Sequence, residues 1–277
     1  MSSKSDFIDR VPPLRERLRY YDRTNPPSDQ PANAAADPAK NVPQSFIDCM
    51  TVREEVYVQE QHVPLENELD EDDERSFHWV AYASIGGHAA PENGSQGRKS
   101  STSTKIPIGT IRLVPPPHPP HPQPGSHHKA DALDVEPGQE KTAVHDGKEP
   151  YIKLGRLAVI KEFRKAGISR LLIETALQYA RDHPYDMVPQ YDPSKVEAAR
   201  QDASNAVVGL EWRGLVMLHA QVGVQKVWKR YGFETDESMG MWDEEGIDHV
   251  GMWRRLEVSD QRRKSKARLV GSPLGSP

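Results

Sequence analysis

Read for its apolar spacing, the chain alternates short amphipathic runs with long polar stretches. From Gln44 to Glu60 the apolar positions Phe46, Ile47, Met50, Val52, Val56 and Tyr57 fall on one face of a 3.6-residue period, which predicts a helix with a buried side. FHWVAYASI (77–85) and IPIGTIRLV (106–114) are rich in β-branched and aromatic residues and predict two strands of a hairpin. YIKLGRLAVI (151–160) predicts a third strand and RKAGISRLLIETALQYARD (164–182) a helix. Ile168, Leu171, Leu172, Ala176, Tyr179 and Ala180 form that helix's apolar face. LVMLHA predicts another strand and VQKVWKRYG a short helix with Gly232 as its C-terminal cap. FETDESMGMW and HVGMWRRLEV predict two closing strands. The order is helix, two strands, strand and helix, strand and helix, two strands, a mixed α/β domain on one central sheet.

The polar stretches set the expected boundaries. Residues 1–43 are expected to be mostly a disordered arm, because 24–43 are rich in Pro, Ala and Asp. Residues 44–257 are expected to be one domain with low-complexity inserts near 86–105, 115–150 and 183–212. Residues 258–277 are expected to be a flexible basic tail. HVPLENELDEDDER reads as an acidic loop, whose Asp70, Asp72 and Asp73 either attract a cationic acceptor or are simply solvated. The histidines of 115–150, His118, His121, His127 and His128, read as part of a solvated Pro/His tract and not as metal ligands, since such a tract does not preorganise a site.

Composition narrows the function. The 277 residues carry a net charge of −5, which gives no general attraction to nucleic acid. One cysteine, Cys49, excludes an intramolecular disulfide framework and fits a reducing compartment. A mean hydropathy of −0.74, no apolar segment of signal-peptide length and no run of about 18 apolar residues predict a protein that does not enter a membrane. The expected location is the cytoplasm, with the nucleus left open, and a homodimer is left open as well.

The candidate chemistry lies in LGRLAVIKEFRKAGISRLL (154–172), a strand, a turn and a helix start. A helix mouth offers unpaired N–H groups and the positive end of the helix dipole. Arg164, Lys165 and Arg170 add charge, Gly167 allows φ > 0 or a close ligand approach, and Ala166 and Ser169 are small. From these residues alone the turn is either an anion cradle or an ordinary helix start with solvated basic residues. It lacks both G-x-x-x-x-G-K-[ST] and G-x-G-x-x-G. It fits [QR]-x-x-G-x-[GA], with Ser169 at the last position, and so resembles the acetyl-CoA site of the GNAT N-acetyltransferases. Four further segments resemble a subgroup of that family in the same order: VREEVYVQEQHVP, the strand pair SFHWVAY and PIGTIRLVP, AQVGVQKVWKRYGF, and EEGIDHVGM. This subgroup is similar to glucosamine-phosphate N-acetyltransferases.

The resemblance implies the GNAT fold, a central mixed and mostly antiparallel sheet flanked by helices. It implies acetyl-CoA as co-substrate and direct transfer of the acetyl group to an amine in a ternary complex, the acceptor being a small amine such as an amino sugar or polyamine. Alternatives are a protein N-acetyltransferase and a CoA-binding regulator with weakened catalysis. It further implies that the backbone of Leu157, Ala158 and Val159 holds the pantetheine arm. The amides of Lys165, Ala166, Gly167, Ile168 and Ser169 would hold the pyrophosphate, with Arg164 beside them. The Leu157 N–H would serve as oxyanion donor and Gln221 as a cofactor or structural hydrogen-bond partner. Trp228 stands where the family has a tyrosine acid, and an indole N–H is not a useful acid. Glu60, His219 and His249 are the candidates for base, proton relay or substrate contact; core or solvated roles are the alternatives for each.

Overall fold

The computed structural model describes residues 7–30, 41–86, 103–128, 138–187 and 212–258. Among these, nine strands form one sheet in the order β1-β2-β3-β5-β6-β9-β8-β4, with β7 on β9. The strands are β1 (Ile8–Val11), β2 (Phe77–Gly86), β3 (Ser103–Val114), β4 (His127–His128), β5 (Ile152–Val159), β6 (Leu215–Gln221), β7 (Glu234–Thr235), β8 (Met241–Glu244) and β9 (Ile247–Arg255). Only β4–β8 and β5–β6 pair in parallel; the other pairings are antiparallel. The sheet is thus mixed and mostly antiparallel, flanked by helices, as expected.

Helix α1 (Gln44–Arg53) runs on into a π-helical segment, Glu54–Glu60. It buries Phe46, Ile47, Cys49 and Met50 against Val80 and Tyr82 of β2. Helix α2 (Ile168–Asp182) lies on the opposite face, with Leu172, Ile173, Ala176, Leu177 and Ala180 packed on Trp79, Ile111 and Leu154. Gly109 permits this close seating, because a Cβ there would stand 2.9 Å from Ile168 Cγ2. Helix α3 (Gln225–Lys229) is short, and Gly232 follows it with φ +74°. No helix among the described residues is long and apolar enough to cross a membrane.

Four expectations are corrected. Residues 7–30 are not a disordered arm. β1 adds to the edge of β2, and Val11, Leu14 and Tyr21 are buried beside Phe46 of α1. The described parts of 115–150 are not a solvated tract. His118 stacks on Tyr151 with centroids 4.5 Å apart, His145 stacks on Trp253, and β4 extends the sheet beyond β8. Their imidazole rings supply the apolar faces that the proline-rich composition hid. FETDESMGMW is not one strand, because Asp236 accepts from the Ser238 N–H and turns the chain between β7 and β8. Helix α2 begins at Ile168 and not at Arg164, leaving RKAG as a turn. Residues 87–102, 188–211 and 259–277, which hold most of the other two inserts and the basic tail, lie outside the described residues.

Candidate active site

The site begins where two neighbouring strands part. β5 and β6 pair only through Ile152–Val216, Lys153–Met217 and Leu154–Leu218. Beyond Leu154, β5 stays with β3 while β6 stays with β9, where Gln221 faces His249. On β3, Thr110 faces Ala158 and Arg112 faces Gly155, so Ile111 stands opposite both Arg156 and Leu157. This is a β-bulge, and Arg156 takes φ +50° within it. The Tyr57 hydroxyl, in the π-helical segment, donates to the Leu157 carbonyl at 3.0 Å. The extra residue per turn of that segment re-aims its side chains. Strand splay, bulge and helix end enclose a cavity of about 890 Å³.

One end of the cavity meets the turn before α2. Gly167 is the N-terminal cap residue, with φ +84°, Lys165 has φ +68°, and among the described residues no side chain caps the helix start with a hydrogen bond. The first amides of a 15-residue helix are therefore available to an anion. A Cβ at Gly167 would meet nothing within 4 Å, so the approach is open. These features fit the pyrophosphate of an acyl-CoA. Arg164 is held beside them by its Nε donating to the Val159 carbonyl at 2.9 Å and by a 2.6 Å ion pair with Glu60.

The other end carries titratable groups. His219 Nδ1 lies 2.5 Å from Glu244 Oε1, which also accepts from Trp242 Nε1 at 2.7 Å. His249 Nδ1 donates to the Ile247 carbonyl, placing its Nε2 3.9 Å from Glu244 Oε2. Burial, reinforced by the Lys153 ammonium, pushes His219 down to about 4. Burial alone would raise the Glu244 carboxyl; the His219 contact, with His249 and Lys153 nearby, outweighs it and holds the group well below the carboxylate range. At neutral pH the pair is a carboxylate and a neutral imidazole whose Nδ1–H faces the carboxylate.

Below the cavity lies a buried ion network. Arg53 pairs with Glu68 at 2.5 Å and with Asp73 at 2.7 Å, and Arg112 binds Asp70 at 2.6 Å and Asp73 at 2.8 Å. Arg156 at the bulge reaches Asp70 at 3.0 Å, and Asp72 pairs with Arg75 at 2.6 Å. The acidic loop is therefore neither a solvated run nor a free attractant for cations, because arginines neutralise all three aspartates. The network ties the loop after α1 to the bulge.

Twelve of the fourteen residues singled out from the sequence line this one cavity; Ala166 and Gly167 stand outside its wall on the turn. Glu60 meets Arg164, and Gln221 Nε2 donates to Gln61 Oε1 at 2.9 Å, joining the two walls. Trp228 is buried in the core, edge-on to Phe233. The sequence reading missed Tyr57, Lys153 and Glu244 as site groups. Tyr57, within VREEVYVQEQHVP, and Glu244, the first residue of EEGIDHVGM, had a usable signal; Lys153 had none.

Three solved structures are among those similar to this chain. A putative N-acetyltransferase from Lactobacillus plantarum is 18% identical, with 78% of this chain and 93% of that chain covered and a TM-score of 0.42. An acyl-CoA N-acyltransferase from Pseudomonas aeruginosa is 20% identical, with 77% and 93% covered and a TM-score of 0.40. Escherichia coli ElaA is 16% identical, with 78% and 94% covered and a TM-score of 0.41. The family model described as acetyltransferase (GNAT) family matches residues 51–191, just over half of the chain. That span contains the bulge, the turn and α2, and with this match the chain belongs to the acetyltransferase (GNAT) family, the acyl-CoA-dependent N-acyltransferases.

Proposed function

We propose that the protein is an acetyl-CoA-dependent N-acetyltransferase that acetylates a small primary amine by direct attack in a ternary complex. One observation carries this reading: the anion-accepting turn and the His219–Glu244 pair open into the same cavity, with the β5 bulge between them. Acetyl-CoA, when bound, supplies the activated thioester. The amides from Lys165 to Ser169, with Arg164, hold its pyrophosphate. The edge of β5 from Leu157 to Val159 that no strand covers takes the pantetheine arm through its N–H groups, the Leu157 and Val159 carbonyls already accepting from Tyr57 and Arg164. The Leu157 N–H, at the bulge, serves as oxyanion donor.

His219 accepts the proton that an ammonium acceptor must lose, directly or through water, while Glu244 orients the ring and stabilises its charged form. His249 backs Glu244 and faces the acceptor. Glu60 positions Arg164. Resemblance to the subgroup carrying VREEVYVQEQHVP and EEGIDHVGM favours a small acceptor over a protein chain. Thiol release from acetyl-CoA, measured over a panel of primary amines, tests this reading. Tight CoA binding with no amine turned over would favour the second reading, a CoA-binding regulator. Trp228 supports that alternative, since it puts a core indole where the family carries its acid.

A further inference from the structure

Almost every charged side chain at the acceptor end of the cavity is answered by a neighbour. Arg112 and Arg156 face Asp70, Asp72 meets Arg75, Glu244 accepts from His219 and Trp242, and Glu245 accepts from Asn67. Lys153 is the exception. It sits on β5 between Ile152 and Leu154, whose side chains enter the core facing α2. Strand alternation turns Lys153 to the other face, into the cavity wall. Among the described residues its ammonium makes no hydrogen bond and no ion pair, and burial pushes it below its ordinary value, with the Glu244, Asp72 and Asp70 carboxylates opposing and the Arg112 guanidinium reinforcing at longer range. Among the described residues three more nitrogens of the same wall, Arg112 Nε, Arg156 Nε and His128 Nε2, are buried without a hydrogen-bond partner. A withdrawn cation with no partner is costly, and a bound anion removes that cost.

We infer that the acceptor is an amine that also carries an anionic group, a carboxylate or a phosphate, and that Lys153 pairs with that group. This rests on the N-acetyltransferase reading and deepens it. The pairing holds the acceptor at the closed side of the splay, with its amine toward His219. It selects amino acids, amino sugar phosphates and similar zwitterions, and it selects against polyamines, which bring only positive charge to a site that already has an unanswered cation.

The test is calorimetric binding to the CoA-loaded protein of matched pairs: glucosamine 6-phosphate against glucosamine, phosphoethanolamine against ethanolamine, and an α-amino acid against its amide, with spermidine alongside. In at least one pair the anionic member is expected to bind about tenfold more tightly, and Lys153→Gln is expected to reduce that preference to under about threefold while CoA affinity stays the same. The pair that responds tells carboxylate from phosphate. The proposal is overturned if neutral members or spermidine bind best throughout, if the variant keeps the preference, or if it weakens both members of a pair equally. Thiol release on the same pairs keeps the two readings apart. Binding preference without turnover leaves the anion assignment standing and removes the enzyme reading. Turnover confined to neutral amines does the reverse.

Discussion

His219 Nδ1 and Glu244 Oε1 meet at 2.5 Å although β6 and β8 are not neighbours; β9 lies between them. The contact fixes the tautomer and leaves Nε2 as the imidazole's only lone pair. General-base catalysis contributes about 10²–10⁴ in rate. His219→Gln is therefore expected to lower kcat about 10²-fold or more with little change in the Kd of CoA. Glu244→Gln should cost about tenfold, because a neutral amide still accepts the Nδ1–H but stabilises the imidazolium less. An unchanged kcat in the His219 variant would remove it as the base.

Gly167 combines φ +84° with open space where a side chain would go. Gly167→Ala is expected to bind CoA with modest loss and to lower stability by about 1 kcal/mol, the usual penalty for a non-glycine residue in the left-handed region. Gly167→Glu should abolish detectable CoA binding, because a carboxylate then projects into the anion site. Calorimetric titration and thermal melts on the same samples separate the two effects. Unchanged affinity in a folded Gly167→Glu protein would place the pyrophosphate elsewhere.

Asp73 is fully buried and accepts from Arg53, from Arg112 and from the Asp70 N–H. Removing one partner from a buried ion network leaves uncompensated charge, at a cost of about 3–5 kcal/mol. Asp73→Ala is expected to lose that much in urea unfolding. Asp72→Ala, whose carboxylate is partly exposed beside Arg75, should lose under about 1 kcal/mol. Equal losses in the two would mean that the network is not the element holding the loop after α1.

The contrast between these aspartates shows what the sequence can and cannot reveal. Periodicity located α1, α2 and the long strands, because each repeats its apolar spacing over many residues. The turn before α2 was legible because a helix mouth has local chemistry. β1 was not legible: four residues with two apolar positions carry no period, and only the edge of β2 makes them a strand. Asp73 and Asp72 look alike in LDEDDER, and only the arrival of Arg53 and Arg112 distinguishes them. Lys153 lies inside a legible strand, yet its lack of a partner is a property of the folded wall. The place of Trp228 in the core against Phe233 depends on packing that spacing does not encode.

Four histidines are held neutral, and this gives the fold a defined acid sensitivity. Burial is the largest cause for each: His78, His121 and His219 are pushed down to about 4 and His118 well below its usual value. In the unfolded chain each titrates near 6.5. Between about pH 6.5 and 4 the unfolded state therefore binds protons that the native state refuses, so stability rises with pH across this window and is lost as pH falls through it. The fully buried His78 and the largely buried His219 each contribute a slope of up to about 1.4 kcal/mol per pH unit there. Glu244 and Asp73, held well below the carboxylate range, act in the same direction at lower pH, since their contribution disappears as they protonate. The melting temperature is expected to fall steadily from pH 7 to pH 5. His78→Gln is expected to show a shallower slope over that interval, even though its stability at pH 7 is lower. A flat melting profile between pH 7 and 5, or assigned imidazole proton resonances of His78, His118, His121 and His219 titrating near 6.5 in the native protein, would contradict this account of the buried rings.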